Sequence, residues 1–209
     1  MGKQEAEFLK GEGDAWFERN KDKPWDAASD PVIQAIIKLP SKFLSMKDLD
    51  VLEIGCGRCH RLNHLQNMVS GTCVGNDVSL MALNEASKDY PSIETFHDSA
   101  KNICGGYDLI IFGFCLYVCD PEDLQLIVHE ADNSLVDGGY LVIQDFDPEH
   151  PHKVPYHHKD GLFSYKMDHS RLWLANPAYS LVSKTVIPDG TAVWVLKKNI
   201  AAGWPEEKL

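Results

Sequence analysis

The chain has 209 residues, 20 Lys and Arg against 31 Asp and Glu, and a formal charge of −11 at pH 7. With 44% hydrophobic and 24% charged residues it has the composition of an ordinary globular domain, not of a disordered chain or a disulfide-built mini-fold. The acid excess speaks against nucleic acid, whose phosphates need Lys and Arg, and no apolar run is long enough to span a membrane.

Residues 3 to 20 place Phe8, Leu9, Trp16 and Phe17 among charges, a pattern that predicts an amphipathic helix followed by a loop to Asp30. These opening residues lack an apolar secretory core, so a cytoplasmic location is expected. Asp30-Pro31 is an N-cap and N1 pair for a second helix carrying Val32, Ile33, Ile36, Ile37 and Leu39, which ends before Pro40. From residue 50 the period changes. Val51–Ile54 reads as a buried parallel strand stopped by glycine, and Arg58–Val69 as a helix with Leu62, Leu65, Met68 and Val69 on one face.

The alternation repeats, with strands over Thr72–Gly75, Ser92–Phe96, Tyr107–Phe114 and Tyr140–Gln144 and helices over Leu80–Lys88 and Pro121–Leu135. Such spacing implies a doubly wound α/β fold with a mostly parallel sheet. Tyr179–Ile187 and Ala192–Leu196 flank Pro188-Asp189-Gly190-Thr191, a hairpin turn that closes the sheet with an antiparallel pair. Residues 145 to 178 form a long connection rich in His, Pro and Tyr, of a kind that is usually functional. The whole reads as a single domain: an N-terminal helical cap over 1–46, a core over 48–146, a covering insertion over 145–178 and a closing hairpin over 179–199.

Cys56, Cys59, Cys73, Cys104, Cys115 and Cys119 read as small buried apolar residues in a reducing compartment. Cys56-Gly57-Arg58-Cys59-His60 also fits redox and haem-attachment spacings, but its surroundings point elsewhere. Gly55 and Gly57 stand at the tip of the first strand where the chain turns into a helix, so a ligand can approach bare backbone. Asp77, 20 residues after Gly57 at the end of the second strand, can accept bonds from both hydroxyls of a ribose. A dinucleotide site wants a third glycine and no acid beside the pyrophosphate. Here Glu53 precedes the glycines, which suits a ligand carrying an ammonium and a sulfonium, S-adenosylmethionine.

These residues resemble the class I S-adenosylmethionine-dependent methyltransferases over about residues 48 to 146. The resemblance is carried by Val51-Leu52-Glu53-Ile54-Gly55-Cys56-Gly57, Gly75-Asn76-Asp77-Val78-Ser79, His97-Asp98-Ser99-Ala100, Tyr107-Asp108-Leu109-Ile110-Ile111 and Leu135-Val136-Asp137-Gly138-Gly139-Tyr140-Leu141. It implies a Rossmann-like, seven-stranded sheet with an antiparallel final hairpin. It also implies cofactor roles: Glu53, Gly55 and Gly57 around the methionine moiety, Asp77 on the ribose, Asp98 and Ser99 near the adenine, and Phe114 beside the methionine end, with Cys56 and Val78 also counted as cofactor-binding. Trp16 is a candidate lid over the cofactor, and Cys59 stands where many members carry a glycine. Residues 7 to 20 resemble the opening of methyltransferases associated with nonulosonic-sugar and surface-polysaccharide biosynthesis, which puts a sugar-related acceptor forward.

Five of the nine histidines, His150, His152, His157, His158 and His169, fall in the long connection. An alcohol acceptor needs a proton removed, and His157 or His158 backed by Asp160 is the candidate base. Asp145 and Asp147 with a histidine do not have diagnostic metal spacing, so no metal is expected. The expected activity is O-methylation of a small polar or sugar-related molecule. N-methylation of a small amine and a non-catalytic cofactor-binding regulator remain alternatives, and a homodimer is kept open.

Overall fold

The computed structural model describes residues 2–199. Short helices α1 (Lys3–Glu7) and α2 (Gly13–Asn20) are joined by a π-helical turn, Phe8–Glu12, in which Gly11 has φ 152°. The single amphipathic helix expected there is thus broken where glycine lets the backbone leave the helical region. Helix α3 (Pro31–Ile36) begins as its cap predicts, the Asp30 carboxylate accepting from the Val32 and Ile33 amides at 2.9 and 3.0 Å. Helix α4 (Ser41–Leu44) follows.

Strands β1 (Val51–Ile54), β2 (Cys73–Asp77), β3 (Glu94–His97), β4 (Tyr107–Gly113) and β5 (Leu135–Phe146) alternate with helices α5 (His60–Gln66), α6 (Leu80–Asp89) and α7 (Leu124–Ser134). After β5 come a small hairpin of β6 (His152–Pro155) and β7 (Phe163–Lys166), the short helix α8 (Arg171–Leu174), and the long hairpin of β8 (Tyr179–Val186) and β9 (Thr191–Lys198). The seven-stranded sheet has the order β3-β2-β1-β4-β5-β9-β8, parallel through β5 and antiparallel beyond it. This is the doubly wound architecture expected, with β9 inserted between β5 and the edge strand β8.

Every residue of β1 is buried, as a strand covered on both faces requires. One face of the sheet packs Leu49, Val51, Leu109 and Ile111 beneath Val32, Ile36, Leu62 and Leu65; the other packs Leu52, Ile54, Ile110 and Phe112 beneath Leu124, Ile127 and Trp173. Each fully buried side chain of this size contributes roughly 1.5–3 kcal/mol.

Three expectations are corrected. The connection over 145–178 is not an irregular loop, since it holds the β6–β7 hairpin and α8. Strand β5 starts at Leu135 and runs through Asp137-Gly138-Gly139, where Gly138 has φ 86°, instead of starting at Tyr140. The cysteines are not uniformly buried: Cys104 is exposed, and Cys115 and Cys119 are half-buried.

Candidate functional site

A cleft that opens to solvent lies at the carboxyl ends of β1, β2 and β4. This is where a doubly wound sheet binds its ligand. Its floor is Ile54, Gly55, Asn76, Asp77, Val78, Gly113 and Phe114; its roof is Glu5, Phe8, Gly13 and Trp16 from the N-terminal helices.

The glycine turn is built as the sequence suggests. Gly55 has φ 73°, and a Cβ there would stand 2.8 Å from Cβ of Cys115. Gly57 has φ 52° and nothing within 4 Å of the place where its Cβ would be, so its backbone faces open space. The Gly57 amide donates to Asp77 at 2.8 Å, tying the turn to the end of β2, and the second Asp77 oxygen accepts from the Ser79 amide at 2.8 Å. Burial pushes the Asp77 carboxyl upward, opposed by these backbone bonds. Each oxygen keeps a lone pair for a further donor. Cys59 itself adopts the left-handed conformation, φ 60° and ψ 23°, which explains why glycine suits that position. Its thiol is buried 3.6 Å from that of Cys56, and both are reduced.

The structure gathers some predicted residues at the cleft and sets others back from it. Gly55, Asp77, Val78, Ser99, Phe114 and Trp16 line it. Glu53 lies behind Gly113, 1% exposed, in an ion pair with Arg61, while Arg61 also holds Asp30 at 3.0 Å. Burial pushes the Glu53 carboxyl up to about 7 against the pull of Arg61, and its Oε2 has no partner among the described residues. Cys56 is packed behind the turn, and the Asp98 carboxylate is turned onto the Ser99 amide and the Asn102 side chain, both at 2.7 Å. His157, His158 and Asp160 are exposed on the turn between β6 and β7, where the His158 ring stands 5.4 Å from that of Tyr156, and none of the three lines the cleft. Among the described residues no His, Cys, Asp or Glu cluster has the makings of a metal site.

Sequence reasoning missed Asn76, Lys101, Tyr117 and the carboxylates of Glu5, Asp120 and Asp123. Asn76 stands beside Asp77 and donates to the Asp98 carbonyl at 2.9 Å, holding the ends of β2 and β3 together. Lys101 bridges Glu5 at 2.6 Å and Asp123 at 3.0 Å. Only the adjacency of Asn76 and Lys101 to motif residues could have signalled them; the carboxylates come together through the fold.

S-adenosylmethionine fits this donor set. The bare backbone of the turn at Gly55, the Asp77 carboxylate and the apolar wall of Val78, Phe114 and Ile127 match its ribose, base and aliphatic parts.

Residues 51–139 match the family model described as a methyltransferase domain. No curated protein matches the chain in sequence. Solved structures share its fold. The 1,6-didemethyltoxoflavin-N1-methyltransferase of Burkholderia thailandensis superposes with a TM-score of 0.73 at 13% identity, over 93% of this chain and 88% of that one. The N-methyltransferase NodS of Bradyrhizobium japonicum gives 0.60 at 17% identity over 88% and 97%. An S-adenosylmethionine-dependent methyltransferase of Mesorhizobium loti gives 0.64 at 13% identity over 82% and 100%.

Proposed function

We infer that this chain, a class I S-adenosylmethionine-dependent methyltransferase, transfers the methyl group to a nitrogen of a small molecule that enters the cleft as a neutral amine. The cofactor, when bound, supplies an electrophilic methyl group on a sulfonium. Everything else falls to the chain: Asp77 orients the ribose, the Gly55–Gly57 backbone leaves room for the methionine moiety, and Val78 and Ser99 flank the base. Trp16 and Phe8 cover the cleft from above and exclude water.

The observation that carries the choice of nitrogen is that the carboxylates beneath the roof of the cleft are already engaged: Lys101 bridges Glu5 and Asp123, and Asp120 accepts from the Gln4 and Glu5 amides. Among the described residues no histidine lines it, and His157 and His158 lie exposed elsewhere. Next to Phe114, burial pushes Cys115 and Tyr117 upward, so they stay protonated near neutral pH, and the Asp145 carboxyl is 0% exposed and accepts from the Tyr117 and Phe146 amides instead of facing the cleft. An alcohol needs its proton removed as it attacks, whereas an amine already offers a lone pair and can release its proton to water afterwards. Two of the structural neighbours are named as N-methyltransferases, which supports the same choice by analogy. O-methylation of a sugar-related acceptor is the rival, favoured by the likeness of residues 7 to 20.

The test supplies labelled S-adenosylmethionine with matched panels of small amines and alcohols, and identifies the new N–CH3 or O–CH3 by NMR. Methylation confined to alcohols and lost in His157→Ala or His158→Ala would overturn the nitrogen assignment. Binding without turnover of either panel would favour a regulator. For the cofactor, Asp77→Ala is expected to weaken S-adenosylhomocysteine binding at least tenfold by calorimetry, each charge-assisted bond being worth about 1.5–3 kcal/mol; unchanged affinity would remove Asp77 from the site.

A further inference from the structure

We propose that Phe114, Tyr117 and Phe146, with the ammonium of Lys166 held over the Phe146 ring, form an acceptor subsite for a planar aromatic acid: the ring lies on the aromatic wall and its anionic group pairs with Lys166. This rests on the methyltransferase assignment and names the class of molecule the cleft receives.

Position comes first. The ribose carboxylate Asp77 ends β2, whereas Phe114 follows β4 and Phe146 ends β5. In the order β3-β2-β1-β4-β5 the aromatic wall therefore lies across β1 from Asp77. Phe114 and Tyr117 line the cleft directly.

The wall is held in a conformation that costs energy. Phe114 has φ 64°, in the left-handed region that a bulky side chain adopts at a cost on the order of 1–3 kcal/mol. Its amide donates to the Gln144 carbonyl at 3.1 Å, which pins the turn to β5. The result aims its ring at Tyr117 (4.8 Å between centroids) and Phe146 (5.1 Å), and those two stand edge-on at 5.2 Å and 88°. Phe114 and Phe146 remain half-buried, so the cluster keeps apolar surface free. Strain and free apolar surface together are what a recognition wall needs and what a sealed core avoids.

Lys166 supplies the charge. It lies on β7, half-buried, with Nζ 3.9 Å from the Phe146 centroid. Lys184 is paired with Asp147 at 2.8 Å and Lys159 with Glu7 at 2.5 Å, while Lys153 on β6 lies over the Phe163 ring at 4.2 Å. Lys166 has no carboxylate partner among the described residues, although the chain carries 31 acidic side chains. A cation fixed over an aromatic face and lacking a counter-ion complements a flat ring that carries a carboxylate or other oxyanion.

Calorimetry with 2-naphthoate and its neutral isostere 2-naphthamide, with and without S-adenosylhomocysteine, tests this. The acid is expected to bind at least tenfold tighter than the amide. Lys166→Met should remove that preference and leave S-adenosylhomocysteine affinity unchanged, Lys166→Arg should keep it, and Phe146→Leu should weaken acid and amide alike. Equal binding of acid and amide, no binding of either, or a preference that survives Lys166→Met overturns the subsite. The wild-type comparison needs no variant to fold. Failure to bind S-adenosylhomocysteine would count against the cofactor site, while the acid-over-amide ratio still decides the subsite.

Discussion

Asp145 and His169 show how burial alone sets the charge of side chains close to the cleft. Both are 0% exposed and stand 3.8 Å apart, too far for a hydrogen bond, and neither His169 ring nitrogen has a partner among the described residues. Burial lowers His169 to about 4, so it is neutral near pH 7. Burial raises Asp145 to about 7, although the Phe146 and Tyr117 amides donate to it at 2.8 and 3.1 Å. An acid whose pKa is higher folded than unfolded stabilises the fold fully below its unfolded value, and that stabilisation is lost as pH rises towards the folded value. Glu53 acts in the same direction. Stability should therefore fall between about pH 4 and pH 7, at no more than about 1.4 kcal/mol per pH unit for each acid. His169 opposes this below about pH 6.5, because its folded pKa is depressed. Asp145→Asn is expected to flatten the slope of melting temperature against pH between 5 and 7, measured by differential scanning calorimetry. An unchanged slope would mean that Asp145 is ionised when folded.

The N-terminal helices are the least self-sufficient elements and the ones most dependent on distant residues. Helix α1 is only five residues long, and its N-terminal amides on Gln4 and Glu5 donate to Asp120 at 2.8 and 3.1 Å. Gln4, 2% exposed, donates to the Val118 carbonyl at 2.7 Å and accepts from the Phe163 amide, and Lys3 donates to the Gly161 carbonyl at 2.9 Å. The roof of the cleft is thus latched on one side to the turn after β4 and on the other to the β6–β7 hairpin. Gln4→Ala leaves the Val118 and Phe163 groups unpaired at about 1–3 kcal/mol, so hydrogen exchange over residues 5 to 12 should rise well above that of β1 and β4. Exchange unchanged in that segment would mean the roof is held by Phe8 and Trp16 alone. Legibility in the sequence follows the same division. The strands, the glycine turn, the Asp30 cap and the final hairpin rest on local chemistry, and each could be read from a few neighbouring residues. The capping of α1 from Asp120, the Glu53–Arg61–Asp30 group and the Lys166 contact join residues far apart in the chain, which no local pattern encodes. The histidines of the long connection attracted attention by number, yet His157 and His158 face solvent, while His169 is sealed in the core.

At the scale of the molecule, the connection between β5 and β8 belongs to the core as much as to the cleft. Trp173 of α8 is 1% exposed and packs its ring 5.3 Å from that of Phe112, on the central strand β4. It shares one continuous apolar layer with Leu52, Ile110, Leu141 and Trp194, so the segment that would carry acceptor contacts through Lys166 is fastened to the sheet that carries Asp77. Such a layer cannot be opened locally. A separate covering module would melt by itself and leave the cofactor core intact, whereas a shared core must unfold with the rest. Trp173→Ala should cost about 3–5 kcal/mol, the range for emptying a buried aromatic site, and should lower the melting temperature of the whole chain in one transition. Far-ultraviolet circular dichroism, which reports the sheet and helices together, and the fluorescence of the remaining tryptophans should then change at the same temperature. Two separated transitions, with S-adenosylhomocysteine still protecting the upper one, would instead show that the connection folds apart from the domain it covers.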